Sequence, residues 1–282
     1  MSSFKEIKKR INSIKSTRKT TSAMKMVSSS KLRKAENKLS NILQYSKALR
    51  HIMESLPASG YTSPICMERP VKNVALIAFS SDSSLCGAFN SNISRELQKA
   101  YYKYKKSPGI EAVFVHTIGK KVYDSIRKTG IPITKNFDNL AGKPDQKTVS
   151  DFAATIITQF EKKQIDRVDL IYHHFKSAGI QELVNIPLLP VKLTEQQKET
   201  DYIIEPSREE VLKALLPDII KTKIFAALLD SNTSEHAARM IAMQTATDNA
   251  DDLVSELTIE YNKSRQQAIT NELLDLIGGS AQ

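Results

Sequence analysis

The residues placed to support phosphate chemistry are Asp82, Ser83, Ser84 and Gly87, which closely follow an apolar run at residues 74–79. In a doubly wound α/β domain, the turn after the first strand holds phosphate groups at the start of the next helix. This turn has neither the G-x-G-x-x-G nor the Walker spacing. It therefore favours a plain strand-to-helix turn capped by Asp82 or Ser84, and no cofactor-binding residue is predicted.

Residues that could ligate a metal or act as nucleophiles are scattered along the chain. His173 and His174 are adjacent in a predicted strand, so their side chains should point to opposite faces. The two cysteines, Cys66 and Cys86, form no disulfide framework and indicate a reducing compartment. The pattern predicts no catalytic constellation and no metal site.

Positive charge is concentrated at the N-terminus. Fourteen of the first fifty residues are Lys or Arg and two are acidic, while the whole chain carries a net charge of +10. This segment could be a solvated helix face, a nucleic-acid-binding stripe or a basic shaft inside a protein sleeve. An aromatic content of 6% and the lack of a base-reading motif argue against nucleic acid. Arg18 and Lys25 fall on the apolar seam of the helix, which favours a protein sleeve.

The same basic segment has the periodicity of a coiled coil. Apolar and small residues recur at alternating steps of three and four from Phe4 to Leu56, and neither Gly nor Pro occurs before Pro57. One helix about 80 Å long is therefore predicted over residues 1–57. A basic, Ser-rich start also resembles a mitochondrial transit peptide. Because the seam continues unbroken beyond it, we interpret this start as mature structure.

The middle of the chain, residues 70–194, alternates strand-like and helix-like segments, which predicts an open Rossmann-like α/β domain. Thr148 or Ser150 is the expected N-cap of its last helix. Strands are expected at residues 74–79, 111–118, 131–135, 167–175 and 183–193, and helices at 88–105, 120–128 and 149–163.

The C-terminal part, residues 207–279, is predicted to be helical after a polar linker at residues 195–201. Ser207 and Glu210 have the spacing of a capping box that opens a short helix. Pro217 suits the first turn of the next helix or a kink. No Gly or Pro follows until Gly278.

The α/β domain is inserted between the two long helical segments, which therefore pair most simply as an antiparallel coiled coil. Small residues lie mid-way along both segments. If the small residues of one helix face those of the other, the two backbones pack closely. The residue numbers of each facing pair then add up to about 265–275. Residues after about 268 are then expected to have no partner. The close-packing positions are Ser22, Ala23, Ala242, Ala246 and Ala250.

Motifs at both ends and in the middle resemble the gamma subunit of rotary proton-translocating (F-type) ATP synthases, and the resemblance runs from about residue 3 to 281. One departure is that Ser83 and Ser84 stand where the family usually has Arg and Gly. The matching segments are residues 11–15, 20–28, 85–90, 233–243, 246–250 and 261–273.

The resemblance implies a central rotor shaft that couples proton flow to ATP synthesis without being catalytic itself. The implied partners are the alpha and beta subunits, the epsilon subunit and the membrane rotor ring, with no nucleic acid. By motif, Met24 and Lys25 face a catalytic-subunit loop, and Arg265 and Gln266 engage the catalytic ring. No apolar run is long enough to span a membrane.

The expected location is the cytoplasmic face of a bacterial inner membrane, where the subunit would be peripheral. The alternative is the matrix face of the mitochondrial inner membrane. Two other functions stay open on the sequence alone. One is a coiled-coil nucleic-acid binder, and the other is a dinucleotide-dependent enzyme built on the middle domain.

Overall fold

The computed structural model describes residues 4–55, 63–192, 204–205 and 207–279. Pro57 and the predicted linker at residues 195–201 lie outside the described residues. The helices are α1 Phe4–Ser55, α2 Phe89–Lys106, α3 Lys120–Arg127, α4 Gln146–Glu161 and α5 Arg208–Gly279. The strands are β1 Asn73–Phe79, β2 Ala112–Ile118, β3 Lys135–Phe137, β4 Arg167–Ser177 and β5 Ile180–Leu189.

The chain forms two compact units. The smaller combines Met1–Ser29 with Arg239–Gln282, and the larger is Ser30–Ala238. Helices α1 and α5 each contribute residues to both units.

The larger unit is built on a five-stranded sheet in the order β3-β2-β1-β4-β5. Strand β1 pairs in parallel with β2 and β4, β3 pairs in parallel with β2, and β5 is an antiparallel edge strand. From Val74 to Phe79 every side chain of β1 is buried. The prediction of a strand buried on both faces is thereby confirmed, as is the open α/β class of this part of the chain.

Alternate residues of β1 pack into two separate cores. Val74, Leu76 and Ala78 meet one core, and the intervening residues meet the other. The first core receives helices α2 and α3 through Ile93, Leu97, Val122 and Ile126. The second receives helices α4 and α5 through Phe152, Ile156, Phe160, Ile220, Ile224 and Leu228. Each fully buried large side chain contributes about 1.5–3 kcal/mol, so α5 is anchored strongly on one face of the sheet.

In the smaller unit, the N-terminal part of α1 runs antiparallel to the C-terminal part of α5. Thr21 Oγ1 and Thr247 Oγ1 are hydrogen-bonded at 2.8 Å. Ile7 and Ile11 are buried in a cluster with Leu257. The Thr21–Thr247 pair falls inside the predicted range of sums, so the antiparallel coiled coil and its register are confirmed.

Arg18, which was predicted on the seam, has an ion-pair partner within the chain. Arg18 Nε lies 2.7 Å from Asp251 Oδ1, and both side chains are 50% exposed. The arginine therefore meets an intramolecular partner at the rim of the helix pair. Its charge on the seam does not require a third surface, because the desolvation cost of full burial does not arise.

Two predicted elements begin at different residues. Strand β3 is Lys135–Phe137 instead of residues 131–135, because Ile131 is buried in the α2–α3 core and ladder pairing starts only at Lys135 with His116. The N-cap of α4 is Asp145 rather than Thr148 or Ser150. The Asp145 carboxylate accepts a hydrogen bond from the Thr148 N–H at 2.8 Å, which is the bond that an N-cap makes.

The C-terminal helix is longer than predicted. Instead of a short helix followed by another, α5 is a single helix of 72 residues with Pro217 inside it. Ser207 does act as its cap, since its hydroxyl oxygen accepts from the Glu210 N–H at 3.3 Å. Leu216 and Ile220 on either side of Pro217 are buried in the core, and this packing offsets the hydrogen bond that proline removes.

Candidate functional site

The carboxyl edge of the sheet is the place where an open α/β fold normally binds its ligand. After β1 the chain builds β2 and β3 on one side of it and then crosses to β4 on the other side. A crevice is therefore expected outside the carboxyl ends of β1 and β4, where the strand order reverses. In this protein a turn of α5 is hydrogen-bonded there. Ser231 Oγ donates to the Phe79 carbonyl at the end of β1, at 3.5 Å, and Ser234 Oγ donates to the His173 carbonyl of β4, at 3.0 Å.

A carboxylate of α5 strengthens this junction. Asp230 is buried, and its Oδ1 accepts a hydrogen bond from the Phe175 N–H at 2.7 Å. Its Oδ2 lies 2.6 Å from Nδ1 of His174. Burial raises the pKa of Asp230 above its ordinary value, while the hydrogen bonds from His174 and Phe175 oppose the rise. The pair therefore ties β4 to α5 through a partly buried, charge-assisted contact.

A third contact reaches the loop that follows β3. Asn232 Nδ2 donates to the Ala141 carbonyl at 2.7 Å. Residues 230–234 thus hold α5 to both central strands and to this loop. The segment is Asp-Ser-Asn-Thr-Ser, and we define it as the junction segment. Helix and sheet are coupled by hydrogen bonds whose geometry is directional, in addition to the non-directional burial described above.

The turn after β1, where a phosphate group would bind in a related fold, holds the carboxylate of Asp82. The Asp82 carboxylate accepts backbone N–H bonds from Lys120 at 3.1 Å, Asn139 at 3.2 Å and Gly142 at 2.7 Å. It therefore caps α3, and the prediction that Asp82 or Ser84 caps the following helix α2 is wrong, since the N-cap of α2 is Ala88 with no side-chain cap bond. A carboxylate here takes the N–H groups that a phosphate would use.

Gly119 makes this turn possible. Its φ is +99°, and a Cβ at this position would lie 2.5 Å from the Ser80 carbonyl oxygen. Ser80 N also donates to Ile118 O at 2.8 Å, which joins the ends of β1 and β2. Any side chain at Gly119 would force these two strand ends apart.

The histidines occupy opposite faces of β4 as predicted. His173 is buried and stacked on Phe89 of α2, with ring centroids 4.4 Å apart, while His174 meets Asp230 of α5. Burial lowers the pKa of His173 to about 4, and burial aided by Lys135 lowers that of His116 to about 4. Over the described parts of the chain, no group of three or more His, Cys, Asp or Glu side chains is placed to hold a metal ion.

Comparison with known proteins agrees with this architecture. The family model described as ATP synthase matches residues 3–281. The ATP synthase gamma chain of Bacteroides fragilis is 48% identical, with 99% of each chain covered. That of Phocaeicola vulgatus is 47% identical, again over 99% of each chain.

The chain belongs to the ATP synthase gamma-chain family. Among solved structures, the central stalk and c-ring of the Tetrahymena thermophila mitochondrial ATP synthase contains a chain with a TM-score of 0.61 and 25% identity, covering 80% of this chain and 99% of that one. The matches to the two gamma chains cover nearly the whole chain, in agreement with its order of helix, α/β domain and helix.

The residues that the gamma-chain resemblance singled out lie on the two long helices. Met24 and Lys25 are half-buried on α1, and Arg265 and Gln266 are exposed on α5. Their contacts with a catalytic ring stay a prediction. Ile269 is exposed as well. The expected lack of a partner for residues after about 268 stays a prediction.

The proposed close-packing residues differ in burial. Ala250 is buried, Ser22, Ala242 and Ala246 are half-buried, and Ala23 is exposed. Their role in close packing remains a prediction.

The junction segment was not identified from the sequence. One feature of the sequence could have pointed to it, namely five consecutive short polar residues in the middle of a helix. Asp, Ser, Asn and Thr are unfavourable in a helix interior. Ser231, Thr233 and Ser234 are nevertheless buried. Buried polar residues inside a long helix indicate hydrogen-bond partners outside that helix.

Proposed function

We propose that this protein is the central rotor shaft of an ATP synthase, which couples proton flow in the membrane sector to ATP synthesis or hydrolysis in a catalytic hexamer. The observation that carries the proposal is the full-length membership in the gamma-chain family. The geometry supports it, because one unbroken helix, α5, is fixed to the sheet at Asp230–Ser234 and is paired with α1 at Thr21–Thr247.

The proposed mechanism follows from asymmetry. A two-helix shaft presents different side chains in different directions, so three equivalent sites around it cannot make the same contacts. Differential contact is what shifts a conformational equilibrium. Turning the shaft would therefore take each site through its binding states in sequence. The driving force is the transmembrane potential, which supplies about 2.3 kcal/mol per elementary charge per 100 mV.

In this proposal the chain carries no catalytic residue, and its contribution is mechanical. Met24, Lys25, Arg265 and Gln266 would contact the alpha and beta subunits, and the α/β domain would meet the epsilon subunit and the membrane rotor ring. The protein would lie at the cytoplasmic face of a bacterial membrane. Among the described helices, none has both the length and the apolar character needed to cross a bilayer.

The occupied crevice weighs against the dinucleotide-enzyme alternative. An enzyme of that kind needs the space outside the carboxyl ends of the central strands. Here Ser231 bonds to the Phe79 carbonyl at the end of β1, and Ser234 bonds to the His173 carbonyl of the neighbouring β4. The basic part of α1 could still bind nucleic acid nonspecifically, but Ile7 and Ile11 use one side of it to pair with α5.

Co-expression with the cognate alpha and beta subunits tests the proposal. We expect a tagged chain to co-purify with a six-membered nucleotide-binding ring, and the complex to hydrolyse ATP. Vesicles that contain the complete synthase should then pump protons on ATP addition. A chain that purifies without the ring, or a synthase that couples equally well without this chain, would overturn the proposal.

A further inference from the structure

The two faces of the sheet carry very different charge. Helices α2 and α3, which share one core, contain eight basic residues and two acidic ones. On the opposite face, α4 contains one basic residue and two acidic ones, and the part of α5 within the larger unit contains four basic residues and five acidic ones. Helices α2 and α3 together therefore carry a net charge of +6, from eight basic and two acidic residues.

The charge of α2 forms a row along its exposed side. Arg95, Lys99, Tyr102 and Lys106 are all exposed, and steps of four, three and four residues place them on one face of the helix. Tyr102 is 44% exposed, so an aromatic ring lies within the row of cations. Lys103 is exposed beside them. We define these five residues as the α2 basic row.

Internal ion pairs do little to neutralise the row. Lys99 lies 3.8 Å from Glu96, and the lysine side chain is 76% exposed. At this distance and exposure the attraction between the two side chains is weak, so Glu96 neutralises little of the charge of Lys99. The nearby Lys105 extends over the Tyr101 ring at 5.8 Å, which leaves its charge uncompensated by any carboxylate in that contact.

We propose that the α2 basic row binds the anionic phospholipid surface of the membrane. Four cations with an interleaved tyrosine match a layer of phosphate headgroups. Clusters of Lys and Arg on an amphipathic helix bind anionic lipids, and tyrosine is favoured at the membrane interface. Flexible lysines on a helix surface suit a mobile headgroup layer, which imposes no fixed partner geometry. The inference rests on the proposed function, since a rotor shaft works next to the membrane sector.

A tryptophan reporter can locate the contact, because the chain contains no Trp. In the full-length Tyr102→Trp protein, we expect a blue shift of the fluorescence on mixing with vesicles of phosphatidylglycerol and phosphatidylcholine. Vesicles of phosphatidylcholine alone should give no shift, and raised salt should reverse it. The matched reporter is Tyr45→Trp, since Tyr45 on α1 is 51% exposed.

A charge-matched comparison decides whether the row itself is responsible. Replacing Lys99, Lys103 and Lys106 by Gln should weaken co-sedimentation with the anionic vesicles at least tenfold. The control is the triple variant Lys8→Gln, Lys9→Gln and Arg10→Gln on α1, which removes equal charge from exposed positions. It should change binding no more than twofold.

Three results would overturn the inference. Equal losses in the two triple variants would show nonspecific attraction by net charge. Equal blue shifts at positions 45 and 102 would show contact that is not directed by the row. A shift of the position 102 reporter with polyglutamate but not with vesicles would assign the row to an acidic protein. Co-purification with the catalytic ring tests the proposed function separately and does not depend on any of these results.

Discussion

His174 Nδ1 lies 2.6 Å from Asp230 Oδ2, so that strand β4 and helix α5 are joined side chain to side chain. The same carboxylate accepts from the Phe175 N–H. A rotor shaft needs such a connection, because torque applied to the sheet would have to pass into the helix without slippage. Apolar packing alone resists separation well but resists sliding poorly, whereas directional bonds at Asp230 fix the register of the two elements.

Asp230→Ala should destabilise the larger unit by about 1–3 kcal/mol, because the half-buried Phe175 N–H and the His174 ring lose a hydrogen-bonding partner. Urea unfolding at neutral pH measures the loss. Asp252→Ala is the control, since Asp252 is exposed on the same helix. If both variants unfold at the same urea concentration as the parent, the Asp230 contacts do not stabilise the junction.

The pH dependence of stability should be dominated by His116 and His173. Their pKa values are lowered to about 4 by burial, so the folded state holds them neutral while the unfolded state protonates near 6.5. Their stabilising contribution is therefore present above pH 6.5 and is lost as the pH falls toward 4. A shift of this size corresponds to roughly 3 kcal/mol for each ring.

Replacement of one ring provides the check. His116 is buried with no hydrogen-bond partner for either ring nitrogen among the described residues. His116→Met keeps an apolar side chain of similar reach and removes the titration. Urea unfolding measured from pH 7.5 to 4.5 should show a shallower loss of stability in the variant. A parent and a variant with parallel pH profiles would exclude His116 as a source of the acid sensitivity.

Asp82 should act as a built-in substitute for a bound anion. Removal of the carboxylate in Asp82→Ala leaves the Lys120, Asn139 and Gly142 N–H groups without it, which costs about 1–3 kcal/mol. Sulfate should then raise the melting temperature of the variant more than that of the parent. Asp138→Ala serves as a control for general salt effects on a neighbouring carboxylate. Identical sulfate responses in all three proteins would contradict this role.

Gly119→Ala should be more damaging than Gly109→Ala. Both glycines have positive φ, +99° and +86°, so both substitutions carry backbone strain. A Cβ at Gly119 would also lie 2.5 Å from Ser80 O, whereas a Cβ at Gly109 would meet nothing within 4 Å. We expect a loss of about 1 kcal/mol at Gly109 and several-fold more at Gly119. Thermal unfolding of the two variants separates strain from steric overlap, and equal losses would argue against the close approach.

Features that repeat along the sequence could be predicted, whereas single contacts between distant residues could not. The α1 seam was readable because burial of Ile7, Ile11 and Thr21 imposes a period that recurs over many turns. The register followed from where small residues cluster. The helix that Asp82 caps was not readable, because the capped residue Lys120 is remote in sequence and is brought close only by the sheet.

The junction segment illustrates the opposite limit. Asp230 and Ser234 have no periodic pattern, and their partners, His174 and the His173 carbonyl, lie on another element. Local propensity treats such residues as weak helix formers and says nothing of what they bind. Only the folded structure shows that Asp230 and Ser234 find their hydrogen-bond partners on strand β4.

Close packing of the helix pair should be needed for torque transmission. Ala242 and Ala246 are half-buried on α5, next to the Thr21–Thr247 bond of the smaller unit. Ala242→Leu or Ala246→Leu would add three carbon atoms to the contact, splay the pair and lower its torsional stiffness, since overpacking costs about 1–3 kcal/mol. Thr245→Leu is the matched control, because Thr245 is exposed on the same turn. In vesicles with the complete synthase, the Ala242→Leu and Ala246→Leu proteins should pump fewer protons per ATP hydrolysed, while the Thr245→Leu protein pumps normally. Unchanged coupling in both alanine variants would show that the shaft works without tight packing at this level.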